Sequence, residues 1–518
     1  MARIVPPFHP IIYVRGFAMR RGEIEETTST PYMGFNLGST KVRQEWDRRV
    51  TRHIFESPLL RLMKDYRYAD IYRDGGEVFD SIPARSVIIH RYYDEADPDF
   101  GSGKRPSIKA AAESLSALIL RIRKQVCTSE IENPEDFKVH LVAHSMGGLI
   151  CRCLLQNDEV GGAEAKQLVD KVFTYGTPHN GIEVGGFNVP RMLGIWDISN
   201  FNRENMADYL GFMKRPQRVD SLNDRFPPKR FFCLVGTNHE DYNFARFAVG
   251  AMSDGLVKIE NATVQGAPRA FVHRSHSGPY GLVNSEEGYQ NLVRFLFGDV
   301  MIVGMMEARE LPLPPTVGEA LRNGRDIKAS YYFECSVEVR GLFDCRLTER
   351  TYDSGSAVFR SFDELFKFER MNRSAPRSPV LFSTYLDSTR ITHGRTMVVV
   401  VDLAVRTTEY RIDNRLFRDQ RIPGEHLFRE RIAFRITRRR EGGWNVRYVL
   451  TDEKWGESNG SLMKQDEYGG VIELKSPKGF HANLRLHIAP WNNEDDHRVP
   501  VLAVGPSGET GDDEQQWP

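Results

Sequence analysis

Residues 138–150 read Lys-Val-His-Leu-Val-Ala-His-Ser-Met-Gly-Gly-Leu-Ile, and this stretch decides the fold. Its first half is a short apolar run that predicts a buried strand, and its second half begins a helical pattern. Ser145 lies at the junction, with Ala143 two residues before it and Gly147 two residues after it. Small residues at these positions let a strand and a helix approach across a strained turn that exposes the serine hydroxyl. The pattern is typical of a nucleophile elbow; a chance match at a buried strand–helix junction is the alternative.

The segments around this motif alternate between strand and helix patterns. Apolar runs rich in Val, Ile and Phe predict buried parallel strands, and the stretches between them predict helices on both faces of the sheet. The predicted strands are 11–14, 86–92, 139–143, 171–175, 230–236 and 270–273, and the predicted helices are 107–126, 146–156, 163–169 and 285–297. We therefore expect residues 1–300 to form an α/β domain with a mostly parallel sheet flanked by helices.

Two long insertions interrupt this alternation. The first, 19–85, contains a pattern that predicts a helix over 46–66. The second, about 182–228, carries apolar residues such as Trp196 and Phe201, so it is too apolar for a disordered loop. Long insertions in compact domains are often functional. We expect a helical cap over an active site, with ordinary packing helices as the alternative.

The pattern changes after Gly298. Residues 310–315, Glu-Leu-Pro-Leu-Pro-Pro, resemble a linker, and the chain beyond them shows short alternating strands separated by turn residues. This rhythm predicts a β-rich, sandwich-like domain over 310–495. Residues 505–518 are rich in Gly, Asp and Glu and predict a disordered tail.

Composition excludes several classes of function. Among 518 residues, 70 Lys and Arg balance 70 Asp and Glu, so the charge does not call for nucleic acid as a partner. Six cysteines without metal-type spacing predict reduced thiols, with a Cys335–Cys345 disulfide as the alternative. There is no apolar run of roughly 18 residues and no signal peptide pattern at the N-terminus. We expect a cytoplasmic protein, or one exported without a cleavable signal, that uses neither a metal nor a cofactor.

A serine nucleophile needs a base and an acid that orients the base, and in this fold the chain order is serine, acid, histidine. Asp254 lies in a Ser-Asp-Gly-Leu-Val loop after a predicted strand; Asp241 is the alternative acid. His276 lies in a Gly-containing loop beyond the last predicted strand, whereas His273 lies at the end of that strand. We predict Ser145, Asp254 and His276 as the catalytic residues, and a loop position favours His276 over His273.

The oxyanion of such a reaction needs two N–H donors. One is the amide of Met146, directly after the serine. The other is expected in the loop after the first strand, where Gly16 permits a tight turn and would present the amide of Phe17. Arg15 is expected to be a surface charge, with direct involvement in catalysis as the alternative.

Four segments together resemble the motifs of α/β-hydrolase lipases and esterases: 9–17, 143–148, 176–181 and 253–257. The most similar group is that of the lecithin:cholesterol acyltransferase-like and GPI-inositol deacylase-like lipases. The resemblance covers about residues 9–298 and departs at Arg15, where these lipases usually carry His. It implies cofactor-free cleavage of lipid or other hydrophobic acyl esters by the residues predicted above.

Other functions are compatible with these motifs. A phospholipase or thioesterase, including a secreted effector, would share them, because the fold alone does not fix the reaction. A catalytically silent protein whose β-rich half binds a partner is a further alternative. Expected partners are a hydrophobic ester or lipid, with peripheral lipid contact; the oligomeric state is left open.

Overall fold

The computed structural model divides the chain into two compact units. The first contains the described residues up to Arg269 and from Arg274 to Leu296; the second contains Ala270–His273 and the described residues from Phe297 onward. The described residues are 8–16, 28–44, 48, 50–73, 76–77, 81–99, 101–126, 136–184, 187–188, 198–240, 252–340, 345–349, 358–366, 379–391, 396–413, 419–439, 444–450, 460–466 and 469–492.

A seven-stranded parallel sheet forms the centre of the α/β fold. Its strands are β1 (Ile11–Val14), β2 (Ala69–Asp70), β3 (Ser86–His90), β4 (Val139–His144), β5 (Val169–Tyr175), β6 (Phe231–Gly236) and β7 (Arg269–Val272). The order across the sheet is β7-β6-β5-β4-β1-β3-β2. Strand β1 pairs in parallel with both β4 and β3, so the strand that ends at the Ser145 motif lies in the middle of the sheet.

Helices flank the sheet because most residues of its longer strands are buried on both faces. The helices are α1 (Pro58–Tyr66), α2 (Ile108–Gln125), α3 (Met146–Gln156), α4 (Ala163–Gln167), α5 (Arg203–Tyr209) and α6 (Glu286–Phe297). Helix α2 begins after Ser107, whose hydroxyl accepts a hydrogen bond from the Ala110 amide. Every residue of α3 is buried, as expected of a helix that is packed on all sides. The predicted fold class is confirmed.

The first insertion differs from its prediction. The helix predicted over 46–66 is wrong: Ser39–Gln44 and Val50–Phe55 form an antiparallel hairpin, and only α1 is helical. Two further short hairpins pair Tyr72–Arg73 with Gly76–Glu77 and Glu183–Val184 with Phe187–Asn188. In the second insertion, Phe201 is buried, whereas Trp196 lies outside the described residues.

The second unit consists of antiparallel sheets. The five-stranded sheet has the order Val380–Leu386, Val300–Glu310, His481–Pro490, Gly469–Lys475, Lys464–Asp466. The second sheet has the order Arg346–Thr348, Ser330–Val339, Thr396–Thr407, His426–Arg438, Trp444–Val449, Ser461–Leu462, with Phe359–Ser361 also beside Ser330–Val339. A three-stranded sheet joins Ile327–Lys328, Tyr410–Ile412 and Gln420–Ile422, and two helices span Pro315–Arg322 and Phe362–Phe366. Side chains from these sheets form one hydrophobic core, which agrees with a β-rich, sandwich-like unit.

The cysteines, the C-terminal tail and the helices bear on further predictions. Cys335 and Cys345 are both free and buried, so the alternative of a disulfide between them is wrong; Cys127 lies outside the described residues. The predicted tail 505–518 also lies outside them. Among the residues that the structure describes, no helix is both long and apolar enough to cross a membrane. The domain bounds drawn from the sequence stay predictions.

Candidate active site

Ser145 occupies a strained turn between β4 and α3. Its φ of 54° and ψ of −125° place it in a region that residues with a side chain rarely adopt. The Ser145 amide donates to the Tyr175 carbonyl at 2.9 Å, which fixes the turn against β5. A Cβ atom on Gly147 would lie 2.2 Å from the Val14 carbonyl oxygen, and one on Gly16 would lie 2.6 Å from the Cβ of Ser145. Both positions therefore require glycine.

The structure brings together the three residues that the sequence predicts. His276 Nε2 lies 2.9 Å from Ser145 Oγ, and His276 Nδ1 lies 2.8 Å from Asp254 Oδ2. All three side chains are buried, with exposures of 4% for Ser145, 2% for His276 and 1% for Asp254. An ionised carboxylate accepts only, so Nδ1 carries the proton and Nε2 is left to accept from the serine hydroxyl. This is the arrangement that a general base for a serine requires.

The loop of Asp254 holds the carboxylate in place. Its Oδ1 accepts the amide hydrogens of Leu256 at 3.0 Å and Val257 at 2.7 Å. The His276 amide donates to the Asp254 carbonyl at 2.9 Å. The two loops are thus connected through main chain and side chain, so neither the acid nor the imidazole can turn independently.

His144 supports the imidazole from the other side, and sequence reasoning missed this contact. Its Nε2 lies 2.9 Å from the His276 carbonyl oxygen, and the two rings lie 5.1 Å apart. A carbonyl can only accept, so His144 Nε2 is the donor. Burial, and then the neighbouring His276, lower the pKa of His144 to about 3, so its ring is neutral at pH 7. The only sequence signal is its place directly before Ser145.

The segment 176–181 contacts the main chain of the serine turn. Thr177 Oγ1 donates to the Ser145 carbonyl at 2.8 Å, and a Cβ on Gly148 would lie 2.2 Å from that hydroxyl oxygen. In the same segment, Asn180 Nδ2 donates to Asn261 Oδ1 at 2.9 Å. The small residue after Gly147 is thus explained by the close approach of Thr177.

Arg152, on α3, is buried with 0% exposure and binds main chain from two separate segments. Its Nη1 donates to the His179 carbonyl at 2.7 Å, and its Nη2 donates to the carbonyls of Val219 at 2.6 Å and Ser221 at 2.8 Å. Burial lowers the pKa of Arg152 to about 10, so the guanidinium stays charged at pH 7. Its charge is therefore stabilised by carbonyl dipoles that fix both ends of the second insertion.

The oxyanion donors are described in part. Met146 is the first residue of α3 and is buried, and its amide as an oxyanion donor stays a prediction. Phe17 lies outside the described residues, although Gly16 directly before it packs against Ser145. The Arg15 guanidinium donates to the Met33 carbonyl, and the Tyr92 hydroxyl donates to the Arg15 carbonyl at 2.8 Å. These bonds fix the loop after β1 on both sides.

The alternative base His273 and the alternative acid Asp241 differ from the residues that form the hydrogen-bond line. It is His276 whose imidazole bonds to Ser145, while His273 directly follows β7. The alternative acid Asp241 lies outside the described residues. In the described part of the chain, no group of three His, Cys, Asp or Glu side chains could hold a metal ion.

A cleft lies beside the first turn of α3. Apolar side chains, among them Tyr92, Met146 and Ile150, line it together with the polar residues Arg105 and Asn200. Its volume of about 10 Å³ is roughly the room of one water molecule, so the cleft by itself does not accommodate an acyl chain.

The fold is that of the α/β-hydrolase class. Residues 95–185, which include Ser145, match the family model of the PGAP1-like alpha/beta domain. This match confirms, over those residues, the resemblance predicted from the sequence. A search of curated proteins finds no significant match.

Solved structures give distant matches. A gene product of Listeria innocua is 14% identical, with 56% of this chain and 94% of that chain covered and a TM-score of 0.25. A metagenomic carboxyl esterase is 12% identical, with coverage of 53% and 66% and a TM-score of 0.29. An acetylxylan esterase is 13% identical, with coverage of 34% and 67% and a TM-score of 0.18. At such values these likenesses carry no argument about activity or substrate.

Proposed function

We propose that the protein is a serine carboxylic-ester hydrolase that cleaves hydrophobic acyl esters. One observation carries the proposal: Ser145, His276 and Asp254 form a continuous line of hydrogen bonds of 2.9 and 2.8 Å that begins at a strained strand–helix turn. A residue with a side chain is held at a positive φ only where the surroundings enforce it. The strain and the hydrogen-bond line at the same serine support a nucleophile.

The reaction proceeds in two steps. His276 Nε2 takes the proton of Ser145 as the serine oxygen attacks the ester carbonyl, and Asp254 stabilises the imidazolium. The amides of Met146 and Phe17 donate to the oxyanion. His276 then gives its proton to the leaving alcohol as the C–O bond breaks, and an acyl-enzyme remains. A water molecule repeats the sequence on this intermediate and releases the acid.

The substrate class rests on the apolar composition of the second insertion. A cap that contains residues such as Trp196 and Phe201 favours an apolar acyl group over a charged one. The second insertion acts as a cap in this proposal, with its ends fixed by Arg152.

Hydrolysis of p-nitrophenyl esters from acetate to palmitate tests the proposal. We expect wild-type activity with a preference for longer chains than acetate, and a loss of at least about three orders of magnitude in Ser145→Ala. Ser102→Ala, at an exposed serine outside the site, is the matched control and should keep full activity. Equal rates in wild type and Ser145→Ala would refute the proposal. Hydrolysis of acyl thioesters alone would instead support the thioesterase alternative.

A further inference from the structure

The hairpin 39–55 exposes an apolar face. In its antiparallel register, Val42, Val50 and Ile54 fall on one face of the ribbon, since residues directly opposite each other share a face. These side chains are 63%, 55% and 73% exposed. Leu37, just before the hairpin, is 58% exposed. The solvent side of an antiparallel ribbon is normally polar, and clustered exposed apolar residues mark contact sites.

The opposite face of the hairpin is anchored next to the candidate active site. Ser39 and Phe55 lie on that face and are buried. The Ser39 hydroxyl donates to the carbonyl of Pro279, which lies three residues after His276. The Arg61 guanidinium lies 5.4 Å from the centre of the Phe55 ring. The exposed apolar face therefore belongs to an element that is attached to the His276 loop.

The charge of this segment favours an anionic partner. Residues 39–55 contain five Lys or Arg and two Asp or Glu, a net charge of three positive units in a chain whose total is zero. Apolar β-branched side chains in a basic segment complement an anionic lipid surface, where aliphatic groups enter the interface and cations pair with headgroups. Two such hairpins facing each other would instead repel, which disfavours a second copy of the chain.

We propose that this face, formed by Val42, Val50 and Ile54, docks the protein on an anionic lipid surface. The docking itself requires no catalysis. That it brings ester substrates to Ser145 rests on the proposed function.

Sedimentation with lipid vesicles tests this proposal in the Ser145→Ala background, so that the lipid stays intact and the result does not depend on esterase activity. The probes are vesicles of phosphatidylcholine alone and vesicles that also contain phosphatidylglycerol. We expect binding to the anionic vesicles, weakened by salt because part of the attraction is electrostatic. The triple variant Val42→Thr, Val50→Thr, Ile54→Thr keeps β-branched shapes and should bind at least about tenfold more weakly.

Met213→Thr is the matched control, since Met213 is fully exposed outside the hairpin and its loss should leave vesicle binding unchanged. Circular dichroism and hydrolysis of p-nitrophenyl acetate by the triple variant with Ser145 restored check that the variant folds. Equal binding of the triple variant and its parent, or equal binding to both kinds of vesicle, would overturn the proposal. A change from dimer to monomer in the triple variant, without a change in vesicle binding, would overturn it in favour of self-association.

Discussion

The seven-stranded parallel sheet and the antiparallel sheets of the second unit bury their side chains differently. All residues of β3 are buried, including adjacent ones such as Ile88 at 1% and Ile89 at 2% exposure. In Thr396–Thr407 burial alternates over the first half: Val399 and Val401 are buried, whereas Val400 between them is partly exposed. Helices on both faces account for the first pattern, and a single core-facing side accounts for the second.

This difference teaches where chemistry can be placed. Polar groups have little room along strands that are buried on both faces, so they gather beyond the strand ends, where loops surround a shared edge. Ser145 directly follows β4, and His276 follows β7. We therefore expect changes at the strand ends to affect activity most, and changes inside the sheets to affect stability.

The largest effect is expected from Asp254→Asn. The side-chain amide would present either an N–H donor or a weaker acceptor to His276 Nδ1. The proton would then no longer be held on Nδ1, so Nε2 would be a poorer base for Ser145. We expect kcat to fall about 10⁴-fold. Steady-state kinetics on a p-nitrophenyl ester measures the loss, and circular dichroism checks that both units stay folded. Asp99→Asn, at an exposed loop position, is the control. A decrease of less than tenfold would remove Asp254 from the proposed mechanism.

Gly147→Ala should cause the largest loss of stability. The new Cβ would lie 2.2 Å from the Val14 carbonyl oxygen and 2.7 Å from that of Arg15, and main-chain atoms cannot move aside as a side chain can. We expect the free energy of unfolding to fall by about 3 kcal/mol. Urea denaturation measures this change. Gly162→Ala, which meets no atom within 4 Å, should change stability by less than about 0.5 kcal/mol; similar losses in both variants would contradict the argument.

Acid should weaken the first unit through its buried histidines. His90, His140 and His179 are all buried, and desolvation lowers the pKa of each, that of His90 to about 3. Since this folded-state pKa is below the unfolded value of about 6.5, the unfolded state binds more protons between these values, and stability falls as pH falls below about 6.5. By pH 5 we expect His90 alone to cost about 2 kcal/mol.

Urea denaturation at pH 7 and pH 5 measures this effect. The variant His90→Phe keeps a ring next to Tyr92 but cannot titrate, so its stability should depend less on pH than that of the wild type. The same pH dependence in both proteins would show that His90 is not buried in its neutral form.

The smallest effect distinguishes the two sheets directly. A buried Val or Ile that becomes Thr places a hydroxyl in the core, at a cost of about 1 to 2 kcal/mol. In the first unit both Ile88→Thr and Ile89→Thr should carry this cost. In the second unit Val401→Thr should carry it, whereas Val400→Thr should not. Chemical denaturation of the four single variants measures the pattern, and equal costs at Val400 and Val401 would break the comparison.

Sequence patterns predicted the centre of the first unit well, because continuous apolar strands leave a strong signal. Strand β1 and helix α3 have the predicted bounds. The helix predicted over 46–66 fails for a physical reason: Trp46, Val50 and Ile54 are four residues apart, a spacing that fits one face of a helix and also one face of a strand. Strand β2, with only two residues, is too short to show any period.

The candidate site was predictable as far as local motifs extend. Ser145, Asp254 and His276 each lie in a short segment with its own signal, and the structure joins them. The bond from His144 joins it to the carbonyl of a residue 132 positions away. Every residue has such a carbonyl, so no residue type in the sequence indicates this partner. The same holds for Arg152 and the carbonyl of Val219, 67 residues apart.

The guanidinium of Arg152 also has an evolutionary consequence. The His179 carbonyl before the second insertion and the Val219 and Ser221 carbonyls near its far end bind one side chain, so the two ends are held together whatever lies between them. The segment between these carbonyls can therefore vary, because Arg152 on α3 holds both of its ends. We expect recombination within 182–218 to replace this insertion, and with it the proposed cap, while Ser145, Asp254 and His276 are inherited unchanged.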